Sequence, residues 1–169
     1  GVDVIHDLME VPYPFQDYSF EKVYLRHVVE HFHMDEIEKI YKECSRILKP
    51  NGYLEVRVPH AFSIAAFTDP THKQFFTFES GYFWDCNSSK SYYADIKTTW
   101  RLIGIKCQVN WFDLKRYRLR RFDRYFSMIM EKRINSALMN SNNPSLADRL
   151  VKKYAFQCVE ISWVYQKET

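Results

Sequence analysis

The chain has 169 residues, 46% of them hydrophobic and 27% charged, a length and balance that suit one domain with a sizeable core. Its four glycines, Gly1, Gly52, Gly81 and Gly104, stand far apart, which excludes a G-x-G-x-x-G turn or a Walker-type phosphate loop. The net charge of +3 hides an asymmetry: residues 1–60 hold 7 Lys/Arg against 11 Asp/Glu, and residues 61–169 hold 17 against 10. That is either a solvated surface of uneven sign or two faces with different partners.

Taken in chain order, Val2-Asp3-Val4-Ile5-His6 is a β-branched run that predicts a buried strand ending at Asp7-Leu8. Pro12 and Pro14 hold the next loop extended. Phe20 to Leu25 reads as a second strand and leads into Arg26-His27-Val28-Val29-Glu30-His31. Over residues 34–48, Ile37, Ile40, Tyr41, Cys44, Ile47 and Leu48 recur at helical spacing, with Asp35 and Glu36 in the first turn and Arg46 near the end. Pro50-Asn51-Gly52 stops that helix, and Tyr53 to Val58 is a third strand closed by Pro59-His60. Strand, helix and strand at this spacing predict a βαβ unit with parallel strands and a right-handed crossover.

Beyond Pro59 the pattern is looser. Residues 60–85 form a long aromatic segment that reads as loop plus short helix, and Tyr92 to Leu102 as helix. Gly104 opens an alternating strand through Ile105, Cys107, Val109 and Trp111. Residues 125–139 read as helix, Asn143-Pro144 starts another that runs to Lys153, and Phe156 to Tyr165 is a final strand. Cys44, Cys86, Cys107 and Cys158 form no C-x-x-C pair, no apolar run reaches the ~20 residues of a membrane span, and no signal peptide is evident. The expectation is a soluble cytoplasmic protein.

Several stretches together closely resemble class I, Rossmann-like S-adenosylmethionine-dependent methyltransferases. They are Val2 to Leu8; Pro12-Tyr13-Pro14-Phe15 to Phe20; His27-Val28-Val29-Glu30-His31-Phe32; and Arg46-Ile47-Leu48-Lys49-Pro50-Asn51-Gly52-Tyr53. Asn51 stands where that family has the first glycine of a pair, and Asp69-Pro70-Thr71-His72-Lys73 resembles a segment of one branch of small members. The resemblance implies an α/β fold, a three-layer sandwich around a seven-stranded sheet of order 3-2-1-4-5-7-6, as one domain over residues 1–169. Residues 2–7 then supply its strand 3, 21–26 strand 4, 53–58 strand 5, 104–112 strand 6 and 156–166 strand 7. Strands 1 and 2 and the glycine-rich loop between them have no counterpart, as in an N-terminally truncated member. An uncovered sheet edge of that kind also admits an oligomer.

The same resemblance implies S-adenosylmethionine as cofactor and gives Asp7 a role. Its carboxylate, which only accepts, suits the adenine amine, which only donates, with the Leu8 amide near the ring. A loop acid capping its own turn is the alternative. His27 ends a strand at the carboxyl edge of the sheet, where open α/β folds bind ligands. His60 and His72 follow strand 5, where the family places substrate-facing groups, and either could serve as a base. The alternative for Asp69-Pro70-Thr71-His72 is a turn held by its own hydrogen bonds.

His27, Glu30, His31 and His33 invite a metal reading, but no H-E-x-x-H order is present and the family resemblance accounts for the segment, so no metal is expected. Residues 115–124 hold six cations among aromatics, which suits a phosphate-bearing ligand or RNA, or is simply a solvated basic face; nucleic acid is not the favoured partner. The functional expectation is a methyltransferase acting on a small-molecule or phosphate-bearing acceptor, with no membrane contact. The alternatives are an inactive scaffold of the same fold and an RNA-binding module working through residues 115–124.

Overall fold

The computed structural model describes residues 1–90, 99–110, 122–140, 144–153 and 158–168. Four strands, β1 (Phe20–Arg26), β2 (Leu48–Pro59), β3 (Trp100–Asn110) and β4 (Cys158–Lys167), form one sheet of order β1-β2-β4-β3. β1 and β2 are parallel, whereas β4 runs antiparallel to both β2 and β3. Relative to the expected sheet this is the 4-5-7-6 half, in the expected order and directions.

The helix that joins the parallel strands, α1 (Met34–Ile47), buries Ile37, Ile40, Tyr41, Cys44 and Ile47, the face its periodicity predicts. The His33 amide donates to Glu36 Oε2 at 2.6 Å, satisfying one of the first-turn donors that a helix leaves open. At the other end the Lys167 ammonium donates to the carbonyls of Ser45 (2.7 Å) and Leu48 (3.0 Å), two acceptors a helix C-terminus cannot satisfy itself.

Register places the apolar residues of the sheet on one face. Leu54, Val56 and Val58 of β2 sit opposite Tyr165, Trp163 and Ile161 of β4, and all six are buried. α1 covers this face together with the 3-10 helix Phe78–Trp84, which is tied to β4 by Trp163 Nε1 donating to the Phe78 carbonyl and Tyr165 OH donating to the Gly81 carbonyl. Gly81 is required there, because an added Cβ would lie 2.5 Å from the Trp163 ring. α3 (Phe122–Asn140) lies along β3, where the Asn135 side chain accepts from the Cys107 amide (2.8 Å) and donates to its carbonyl (3.0 Å). That amide therefore covers part of an edge that a further strand would otherwise pair. α4 (Pro144–Lys153) packs against both α3 and the 3-10 helix.

Three expectations need correction. Residues 2–7 form no strand: Val2, Val4 and Ile5 are 79%, 45% and 94% exposed. A lone extended segment has no ladder to satisfy its backbone groups, and these residues do not pair with β1. Trp100 to Leu102, read as the end of a helix, already belongs to β3, whose register slips between Leu102 and Gly104. Pro50-Asn51-Gly52 is a looped-out irregularity inside β2, since Phe20 pairs with Leu48 and Lys22 with Tyr53. Residues 92–98 of the expected 92–102 helix, and Lys115 to Arg121 of the basic segment, lie outside the described residues. Residues 60–85 do contain a short helix, α2 (Ala65–Thr68), besides the 3-10 helix.

Candidate functional site

Because β1 and β2 are parallel, their carboxyl ends open on the same side, and the antiparallel β4 brings its first residues there too. A cleft of about 590 Å³ lies at this end, lined by His27, Glu30, His31, Asp69, His72 and Glu160 among others. Its size is that of a small-molecule site and its position is the ligand-binding edge of open α/β sheets.

His27 follows β1 directly and adopts a left-handed backbone (φ 51°), a conformation in which histidine is commoner than most side chains. Its amide donates to the Arg57 carbonyl at 2.9 Å. The ring then stands between two carboxylates, with Nδ1 3.3 Å from Glu30 Oε1 and Nε2 3.3 Å from Glu160 Oε1. The contact with the Glu160 carboxylate, followed by that with Glu30, outweighs partial burial and pushes the imidazolium up to a pKa of about 9. His27 is thus a cation at neutral pH.

Glu30 sits in a one-turn 3-10 helix, Val29–His31, between β1 and α1. It is 1% exposed, and neither of its carboxylate oxygens has a hydrogen-bond partner among the described residues. Its backbone carbonyl accepts from the amides of Lys73 (2.7 Å) and Gln74 (3.1 Å), which docks the 69–74 loop against this turn. The loop is held by its own bonds as well, with Asp69 Oδ1 accepting from the Thr71 amide (2.8 Å) and hydroxyl (2.7 Å). Those bonds to Thr71 hold the Asp69 carboxyl below its usual range.

Docking brings His72 against His31, their rings meeting edge to face with centroids 4.8 Å apart. The partners fix both tautomers. His72 Nδ1 lies 2.8 Å from the Ala66 carbonyl, which only accepts, so Nδ1 carries the proton. The Thr71 hydroxyl spends its proton on Asp69, so His31 Nδ1, 2.9 Å away, must donate to it. In the neutral form of each ring Nε2 is then the acceptor nitrogen.

Other expected site residues lie elsewhere. His60 is fully buried; its Nδ1 accepts from the Phe62 amide (3.1 Å) and its Nε2 donates to Asp148 Oδ1 (2.8 Å). Asp148 Oδ1 also accepts from the Phe78 amide at 3.0 Å, so His60 pins α4 and the 3-10 helix to the end of β2. Asp7 and Leu8 do not line the cleft. Asp7 is exposed and its Oδ1 accepts from the Met9 amide at 2.8 Å, while the Leu8 carbonyl takes the Tyr13 hydroxyl at 3.1 Å. Glu160 was not singled out by its sequence, because in Val159-Glu160-Ile161 it reads as any outward residue of an alternating strand.

A family model described as a methyltransferase domain matches residues 2–56. No curated protein matches the chain. Among solved structures, an S-adenosylmethionine-dependent methyltransferase from Archaeoglobus fulgidus superposes with TM-score 0.53 and 16% identity, over 97% of this chain and 66% of that one. A Bacillus halodurans protein described as a methyltransferase gives 0.51 and 19%, over 97% and 70%. The chain therefore spans about two thirds of the length of these structures, and it has the class I, Rossmann-like methyltransferase fold. Among the described residues no helix is long and apolar enough to cross a membrane.

Proposed function

We propose that the chain acts in S-adenosylmethionine-dependent methylation of a small molecule held in the cleft at the carboxyl ends of β1 and β2, with His72 as the base. The observation that carries this reading is the His72 ring itself. It lines the cleft with Nδ1 committed to a carbonyl, which leaves Nε2 to receive a proton from an acceptor hydroxyl, amine or thiol. Methyl transfer is a displacement at a sulfonium, so positioning the acceptor and taking one proton is most of what the protein must do. The His27 ring, held by its two nitrogens between Glu30 and Glu160, lines the same cleft and contributes positive charge to its wall.

The residues suit the adenine end of the cofactor. Asp7 Oδ1 is anchored by the Met9 amide, and its second oxygen remains an acceptor for the exocyclic amine. Leu8 is partly buried against the core beside it, an apolar neighbour for a ring. When bound, S-adenosylmethionine supplies the activated methyl group.

Calorimetric titration of the protein with S-adenosylhomocysteine tests the reading. Binding is expected, weakened ~10- to 100-fold by Asp7→Ala, the loss of one hydrogen bond to a charged acceptor. No binding by the folded protein would overturn the enzyme and leave a scaffold of the same fold.

A further inference from the structure

Glu30, His31 and His72 each offer a ligand atom, and these atoms all lie within 4.8 Å of one another. We infer that they form a binding site for a divalent transition-metal ion of the zinc type, with an open coordination position facing the cleft. This goes beyond the methyltransferase reading and does not depend on it.

Three observations converge. The first is the donor set: two imidazoles and one carboxylate, nitrogen and oxygen donors of intermediate softness, suit zinc and its neighbours. Magnesium and calcium prefer all-oxygen sites. The second is the outer layer. Both imidazoles have Nδ1 committed as donor, His72 to the Ala66 carbonyl and His31 to the Thr71 hydroxyl that in turn donates to Asp69. A ligating histidine is normally oriented in this way, by a carbonyl or a carboxylate relay on its second nitrogen. The third is Glu30, a buried carboxylate with no hydrogen bond to either oxygen. Burial of a carboxylate without hydrogen bonds is costly, and Glu30 is 1% exposed with only the His27 ring, 3.3 Å from Oε1, as an ion-pair contact among the described residues.

Charge agrees with a divalent ion. Three carboxylates, Glu30, Asp69 and Glu160, line the cleft. Metal–ligand bonds near ~2.1 Å place neighbouring donors about 3 to 3.5 Å apart, so side-chain rotations of roughly an ångström complete the set. Three protein ligands leave a tetrahedral ion one open position, for water or for the acceptor atom. An ion bound here takes the His72 Nε2 lone pair, so His72 serves as the base only in the metal-free protein.

The test is titration of chelator-treated protein with Zn²⁺ by calorimetry, and with Co²⁺ followed by visible absorption. Neither needs S-adenosylmethionine, so failure here and failure of the methyltransferase reading are separate results. One ion per chain is expected, with Co²⁺ bands of four-coordinate intensity. Affinity should fall 100-fold or more in His72→Ala, His31→Asn and Glu30→Gln, and stay unchanged in His33→Ala, a surface histidine of the same run. The histidine variants carry the test if Glu30→Gln does not fold. Absence of stoichiometric binding overturns the site, as does binding that both histidine variants leave intact.

Discussion

At Asn51 the backbone is left-handed, with φ 61°, and the next residue is Gly52, where a Cβ would stand 2.9 Å from the Lys49 carbonyl oxygen and 3.2 Å from that of Glu21. Asparagine tolerates the left-handed region where most residues lose about 1 kcal/mol or more. The departure from a glycine pair is therefore mild for a physical reason. Asn51→Ala is expected to cost ~1 kcal/mol in urea unfolding, and Asn51→Gly to stay within about 0.5 kcal/mol of the parent. Gly81 is tighter still, because its space is filled by the buried Trp163 indole, itself held by the Phe78 carbonyl. Gly81→Ala should cost ~1–3 kcal/mol, the usual range for over-packing, with a shift in tryptophan fluorescence as the ring moves. His60 shows the limit of reading single residues. In sequence it follows a strand at the site end, as a base would, and only the distant Asp148 shows that both its nitrogens are occupied.

Elements carry a second kind of information. α1 was legible because a buried helix face repeats every three to four residues, and all five of its buried positions follow that period. The loop before β1 was legible only as proline-rich; what fixes it is Arg46, which donates to the carbonyls of Tyr13 (3.1 Å) and Phe15 (2.9 Å) and pairs with Glu43 and Asp17. Glu43 also accepts from the Tyr13 amide at 2.8 Å. Hydrogen bonding to Arg46 lowers the Glu43 pKa despite partial burial. Its contribution is therefore complete above the unfolded value of about 4.3 and lost as pH falls through the lower, folded value. The stability gap between the parent and Glu43→Gln should be constant from neutral pH to about pH 5 and shrink below about pH 4. A gap that does not change with pH would place the effect of Glu43 outside this clamp. The site was half legible on the same terms. His27, Glu30 and His31 stand together in sequence, but their partner His72 arrives through backbone bonds from Lys73 and Gln74 to Glu30, which no periodicity announces.

For the whole molecule the ordering of strands decides where it is firm. β2 and β4 are flanked on both sides, β3 has its outer edge partly covered by Asn135, and β1 has β2 on one side and no strand on the other among the described residues. The missing strands 1 and 2 made an uncovered edge legible, but the outcome at residues 2–7 was not, because a β-branched run looks the same with or without a neighbour to pair with. Edge strands with free amides are where a sheet exchanges protons and where it recruits partners. Amide exchange should therefore be slowest at Leu54, Val56, Ile161 and Trp163, and fast at the alternate β1 amides turned away from β2. The charged and aromatic side chains along that strand, Lys22, Tyr24 and Arg26, all exposed, disfavour indiscriminate pairing without forbidding a specific one. If every β1 amide proves as protected as those of β2, the outer edge is covered in solution. Dilution then separates the two coverings: protection that falls with concentration belongs to a second copy, and protection that persists belongs to the chain's own residues 2–7.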